Sequence, residues 1–110
     1  MSDSDSVLRV SILRCEAAKF VLLKQMMVEA EAALRPGIEA MPGLLSFYAG
    51  ADEATSSLIN TSLWDTVQHA RQLDTFQPML DAGMEFVAAG ATFERPIMHY
   101  ASLWGFGQRA

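Results

Sequence analysis

Asn60, Ser62 and Trp64 stand at alternate positions in the run Ser57 to Trp64 (SLINTSLW). Side chains of a strand alternate between its two faces, so an amide, a hydroxyl and an indole project from the same side here. The competing assignment makes Trp64 an anchor of the core or of a subunit contact and leaves Asn60 bonded to a neighbouring loop. His99 and Tyr100 are adjacent in a second extended run, so they point to opposite faces. Whichever enters a cavity brings a general base or a hydrogen-bonding phenol, although His99 shares its parity with Ile97 and Leu103 and fits a structural histidine equally well. Ser46 and Tyr48 share a parity in Leu44 to Ala51 and add two hydroxyls. His69 falls just after a helix start, where a solvated imidazole is the ordinary state. Glu94 and Arg95 read as a solvated ion pair at the rim.

Other chemistry is excluded by what the sequence lacks. It holds no Gly-rich phosphate loop, no His-Glu-x-x-His and no Ser-His-Asp constellation. A single cysteine, Cys15, permits neither an internal disulfide nor a Cys-rich metal site and reads as a half-buried small hydrophobe. Seven methionines, among them Met26, Met27, Met79, Met84 and Met98, are read as gap-fillers of the core. The net charge of -5 repels phosphate backbones, so nucleic acid is not an expected partner. No apolar run reaches the ~18 residues of a membrane span, and the acidic start Met1 to Ser6 does not resemble a signal peptide, so a cytoplasmic location is expected. Neither a metal nor a cofactor is called for.

The elements that must position these residues follow from periodicity. With 110 residues, 51% apolar and 19% charged, there is room for one domain, residues 7–110, after a disordered acidic tail, residues 1–6. Val7 to Cys15 reads as a strand with two partly apolar faces. From Glu16 to Leu34, Phe20, Leu23, Met27, Ala30 and Leu34 recur at helical spacing, and Arg35-Pro36-Gly37 is expected to end that helix. Leu44 to Ala51 and Ser57 to Trp64 form a hairpin across a polar loop. Asp65 and Thr66 start a second helical region, broken near Asp74 to Pro78 and closed at Gly90. Thr92 to Trp104 holds a last strand whose Pro96 belongs at its start or on an edge.

This order predicts an α+β, ferredoxin-like β-α-β-β-α-β fold, with a four-stranded antiparallel sheet and both helices on one face. The other face is then bare. Neither parity of any strand reads as cleanly solvated, and such a face exceeds the few hundred Å² that monomers commonly expose. A second copy of the chain is the simplest cover, so a homodimer formed through the sheet face is expected.

The run Pro42-Gly43-Leu44-Leu45-Ser46-Phe47-Tyr48 before a hairpin, and the strand ending Leu63-Trp64-Asp65 at a helix start, resemble the antibiotic biosynthesis monooxygenase-like domains of the dimeric α/β-barrel superfamily. The resemblance implies a small-molecule cavity between sheet and helices. It also implies that Asn60 and Trp64 match the Asn and Trp that some cofactor-free monooxygenases place there, the amide binding a phenol or peroxy oxygen and the indole stacking on a ring. The tyrosine such enzymes carry soon after the Trp is replaced by Ala70. His69 resembles the histidine that ligates haem iron in haem-degrading relatives, but the first strand lacks their Asn.

The expectation is cofactor-independent monooxygenation of a small aromatic or polyphenolic compound. Asn60, Trp64 and His99 would be catalytic, with Tyr48, Ser46, Ser62 and His69 binding the small organic ligand. The alternatives are a non-catalytic small-molecule-binding or stress-related module and a haem-binding or haem-degrading protein.

Overall fold

The computed structural model describes residues 6–107. Of the expected tail only Ser6 falls within them, and its carbonyl accepts from the Ser102 N–H at 2.9 Å. The aliphatic and β-branched first run forms β1 (Val7–Arg14). A 3-10 turn, Ala17–Lys19, leads into α1 (Phe20–Glu39), which buries Phe20, Leu23 and Ile38. The hairpin follows as β2 (Leu44–Asp52) and β3 (Ser57–Trp64). The second helical region is split as its sequence requires, into α2 (Val67–Ala70), a 3-10 turn Arg71–Thr75 and α3 (Gln77–Ala88). The Thr66 side chain caps α2 by accepting from the His69 N–H, and Pro78 sits in the first turn of α3, where its missing N–H costs nothing.

Proline 36 does not end α1, contrary to the sequence expectation, since the helix runs through it to Glu39. The extra turn is held by tertiary burial. Ile38 is 3% exposed and packs with Trp64, Ala70 and Leu73, while Gly37 leaves room for the Phe76 ring where a Cβ would collide with it. The last strand also differs, because residues 94–97 around Pro96 interrupt it, giving β4 (Thr92–Phe93) and β5 (Met98–Ala101). Both pieces pair antiparallel with β1, so they occupy the place of one strand.

The sheet runs β2-β3-β1-β4, with β5 also on β1, and every pairing is antiparallel. This is the ferredoxin-like α+β arrangement, with β1 and β3 central and β2 at an edge. Register divides the strands cleanly. Val7, Arg9, Ser11 and Leu13 of β1 pair with Trp64, Ser62, Asn60 and Leu58 of β3, and these residues face the helices. Leu8, Val10 and Ile12 pair with Leu63, Thr61 and Ile59 on the outer face.

Two apolar clusters fill the space under the helices. One gathers Leu13, Leu23, Leu58, Phe86 and Ala91, and the other Ile38, Trp64, Ala70 and Leu73. Met26, Met27, Met41 and Met79 fill gaps around them, but Met84 and Met98 are exposed and do not belong to the core. Cys15 is half-buried against the first cluster. Among the described residues no helix is long and apolar enough to cross a membrane.

Leu58 is fully enclosed in the first cluster. The Leu58→Ala variant is expected to lose about 2–5 kcal/mol of stability, read from the midpoint of urea unfolding. A loss below about 1 kcal/mol would show that the site collapses around the smaller side chain.

Candidate functional site

Between the two apolar clusters the inner face of the sheet turns polar. Ser11 and Arg9 on β1, Asn60 and Ser62 on β3, and His99 on β5 form a belt across the three strands, since Asn60 pairs with Ser11 and both Ser62 and His99 pair with Arg9. Arg9 is the centre of this belt and is only 3% exposed. Its Nη1 donates to Asn60 Oδ1 at 3.4 Å, and its Nη2 lies 3.6 Å from Asp74 Oδ1, supplied by the 3-10 turn. Burial pushes the Arg9 guanidinium below its usual value and the Asp74 carboxylate pulls the other way, but a guanidinium stays charged at neutral pH in either case.

His99 faces the same guanidinium across the strand pair. Desolvation lowers its pKa, and the charges of Arg71 and Arg9 lower it further against the opposing pull of Asp74. Its imidazole is therefore neutral at pH 7. Arg9 Nε and His99 Nε2 are buried without a hydrogen-bond partner among the described residues.

A cleft of about 730 Å³ opens beside the belt, between α1 and the hairpin, within the range of small-molecule pockets. Leu34 and Ile38 of α1, Leu44 and Phe47 of β2 and Met79 of α3 supply apolar walls, and Asn60 puts an amide among them. Charge is confined to α1 residues such as Lys24, Glu31, Arg35 and Glu39, the last three joined in ion pairs of 2.6 and 3.1 Å.

The structure thus separates the residues that the sequence grouped. Asn60 borders the cleft. Trp64 lies beneath it, fully enclosed, with Nε1 donating to Ser62 Oγ at 2.8 Å. It belongs to the buried cluster against which the cleft residues Leu34, Leu44, Phe47 and Met79 pack, so it supports the cleft walls from behind instead of presenting a face to an occupant. Ser62 is consumed as the acceptor for that indole. His99 reaches Asn60 only through Arg9 and does not border the cleft.

Ser46 and Tyr48 sit on the edge strand that bounds the cleft, so residues of both its parities border it. A register shift between Leu44 and Ser46 pairs them with Leu63 and Thr61, the outer-face residues of β3. His69 is engaged elsewhere, its Nδ1 2.6 Å from Asp65 Oδ1, beside Gly43. Gly43 has φ +83°, and a Cβ there would collide with both partners. Glu94 and Arg95 do not pair with each other among the described residues. Glu94 instead pairs with Arg14, and Arg95 lies 5.4 Å above the Phe93 ring.

Sequence reasoning missed Arg9 and Asp74. The signal was present on β1, where an arginine flanked by Leu8 and Val10 in a strand apolar on both faces has no wet side to occupy. Nothing in the sequence placed Asp74 opposite it, since a long-range contact with a 3-10 turn has no periodic signature.

The depressed pKa of His99 makes stability depend on pH. As pH falls below about 6.5 the unfolded chain takes up a proton that the folded imidazole resists, so a contribution present above that value is lost on acidification. Urea unfolding at pH 7.5 and 5.5 should show a smaller loss for His99→Gln than for the wild type. Equal losses would contradict the assignment.

No family model matches the sequence, and no curated protein does either. Solved structures do match. A proposed antibiotic biosynthesis monooxygenase from Deinococcus radiodurans superposes with a TM-score of 0.69 at 16% identity, over 94% of this chain and 99% of that one. SnoaB, a cofactor-independent oxygenase from Streptomyces nogalater, gives 0.63 at 15% identity, over 94% and 99%. The monooxygenase from the gene ActVA-Orf6 of Streptomyces coelicolor, solved with the ligand nanaomycin D, gives 0.69 at 11% identity, over 98% and 96%. The chain therefore has the fold of the antibiotic biosynthesis monooxygenase-like proteins.

Proposed function

We propose that the protein binds a small aromatic or polyphenolic compound in the cleft between α1 and the hairpin and oxygenates it without a cofactor. The observation that carries this reading is Asn60, an amide bordering a cleft whose walls are largely apolar. The fold shared with SnoaB and the ActVA-Orf6 monooxygenase supports it.

The chemistry needs little from the protein. A naphthol-type substrate loses its phenolic proton, and the electron-rich ring reduces dioxygen. One oxygen atom forms a new carbon–oxygen bond and the other leaves as water, so naphthol plus O₂ becomes naphthoquinone plus water. All electrons come from the substrate and no external reductant is required. The apolar walls orient the ring and exclude water, while the amide stabilises the anion that precedes electron transfer. The phenolic proton leaves to solvent, because the guanidinium between Asn60 and His99 has no lone pair to relay it, so His99 takes no part in the transfer and Trp64 acts as the support of the cleft walls.

The working unit in this proposal is a homodimer located in the cytoplasm. Leu8, Ile59, Tyr48, Met98 and Tyr100 on the outer sheet face are all exposed, between 36% and 53%. Their registers place them side by side, with Leu8 opposite Tyr100 and Ile12 opposite Ile59. Because the patch is made by β1, β2, β3 and β5 together, a flat, self-complementary sheet is the occupant that fits it best. Leu103, Trp104 and Phe106 add further exposed apolar surface after β5.

Oxygen-electrode assays with 1,4-dihydroxynaphthalene and 1-naphthol should show uptake above the enzyme-free rate. The Asn60→Ala variant should lose roughly 10²-fold in kcat/KM. Absence of wild-type turnover with bound substrate recovered unchanged would favour the non-catalytic binding module. A haemin titration should give no Soret shift that depends on His69, whereas a shift abolished in His69→Ala would favour the haem reading. In solution the protein should scatter light at twice its 12.1 kDa mass. Ile59→Lys should return it to the monomer, and a monomeric wild type would refute the dimer.

A further inference from the structure

The orientation of Asn60 is fixed by its neighbour. Arginine carries only donors, so the amide atom 3.4 Å from Arg9 Nη1 must be the carbonyl oxygen. Turning the amide over would set NH₂ against guanidinium, two donors face to face. With Oδ1 committed to the belt, the other arm of the planar amide, Nδ2, is the one left for the cleft that Asn60 borders.

The charge behind this amide is only partly balanced. Arg9 is 3% exposed, and its one carboxylate partner among the described residues, Asp74, is 42% exposed at 3.6 Å and shared with Arg71 at 3.8 Å. Arg71 on the same turn and Arg95 beyond β4 add positive charge, and the facing His99 adds none when neutral. The Arg9 Nε is buried without a partner among the described residues, so the protein does not saturate this cation. A cation donating to the carbonyl end of an amide polarises it and makes its N–H a stronger donor.

We propose that Arg9 is a positioning residue that locks Asn60 with its N–H toward the cleft and makes the cleft selective for ligands that present an oxyanion, namely phenolates and enolates, over neutral aromatics of the same shape. The inference rests on the cleft being the small-molecule site and names the substrate class that this site prefers. It also gives Arg9 a role that packing does not. Replacing a buried ion pair by apolar groups is often tolerated, so folding alone does not demand an arginine here.

The test uses 4-nitrophenol, whose anion is yellow, titrated with pH in the presence of saturating protein. Bound to the wild type it should ionise at a lower pH than in free solution, by about one unit. Arg9→Met should abolish that displacement while the probe remains bound, and Arg9→Lys should restore part of it. Asp74→Asn removes the half-exposed competing carboxylate while keeping Arg9 in place, at some cost in stability because the buried guanidinium loses its charged partner. This variant should move the transition to still lower pH, which keeps the proposal testable if Arg9→Met fails to fold. Binding with an unchanged or raised ionisation pH in the wild type, or an unaltered displacement in Arg9→Met or Asp74→Asn, overturns the role of Arg9 and leaves the cleft standing. No binding of 4-nitrophenol at all overturns both.

Discussion

A guanidinium buried under helices is the constraint around which this inner sheet face is arranged. Removing a cation from water costs several kcal/mol after relaxation, and Arg9 sits on the central β1 with apolar clusters on either side. The cost is offset only in part, by polar neighbours from two separate elements: Asn60 from β3 and Asp74 from the turn between α2 and α3. The break in the second helical region is thus part of the same arrangement. A continuous helix from Val67 to Ala88 would not put a carboxylate where the turn Arg71–Thr75 delivers one.

The same sheet divides its labour by parity. Residues facing the helices build the belt and the tryptophan support, and their neighbours one position away build an apolar outer face, while only the edge strand β2 brings both parities to the cleft. Because a one-residue shift exchanges these roles, the register of β1 on β3 fixes both the site and the surface proposed for pairing. The bulge near Leu45 matters for this reason. It lets Leu44 oppose Trp64 at the cleft wall while Ser46 and Tyr48 fall on the outer parity.

Much of the fold was legible in the sequence because it depends on local periodicity. The first three strands, the amphipathic α1 and the broken second helix all follow from apolar spacing and capping residues such as Thr66. The continuation of α1 through Pro36 was not legible, since it depends on burying Ile38 against a tryptophan 26 positions away. The site was legible in part. That Asn60 and Trp64 share the helix-side face of β3 followed from strand alternation, but periodicity cannot tell a tryptophan that faces a cavity from one that supports its wall. Arg9 and Asp74 are joined only by tertiary structure, and Glu94 found Arg14 for the same reason.

In the proposed function an aromatic hydroxyl compound meets the amide of Asn60 from the side of α1 and the hairpin. The most direct test is an NMR titration of isotope-labelled protein with 1-naphthol, following the side-chain amide of Asn60. The account predicts that the Asn60 Nδ2 protons shift strongly, together with Leu34, Ile38, Phe47 and Met79, while Leu8 and Tyr100 on the outer face stay still. Shifts confined to the outer face, with the Asn60 amide unmoved, would contradict it.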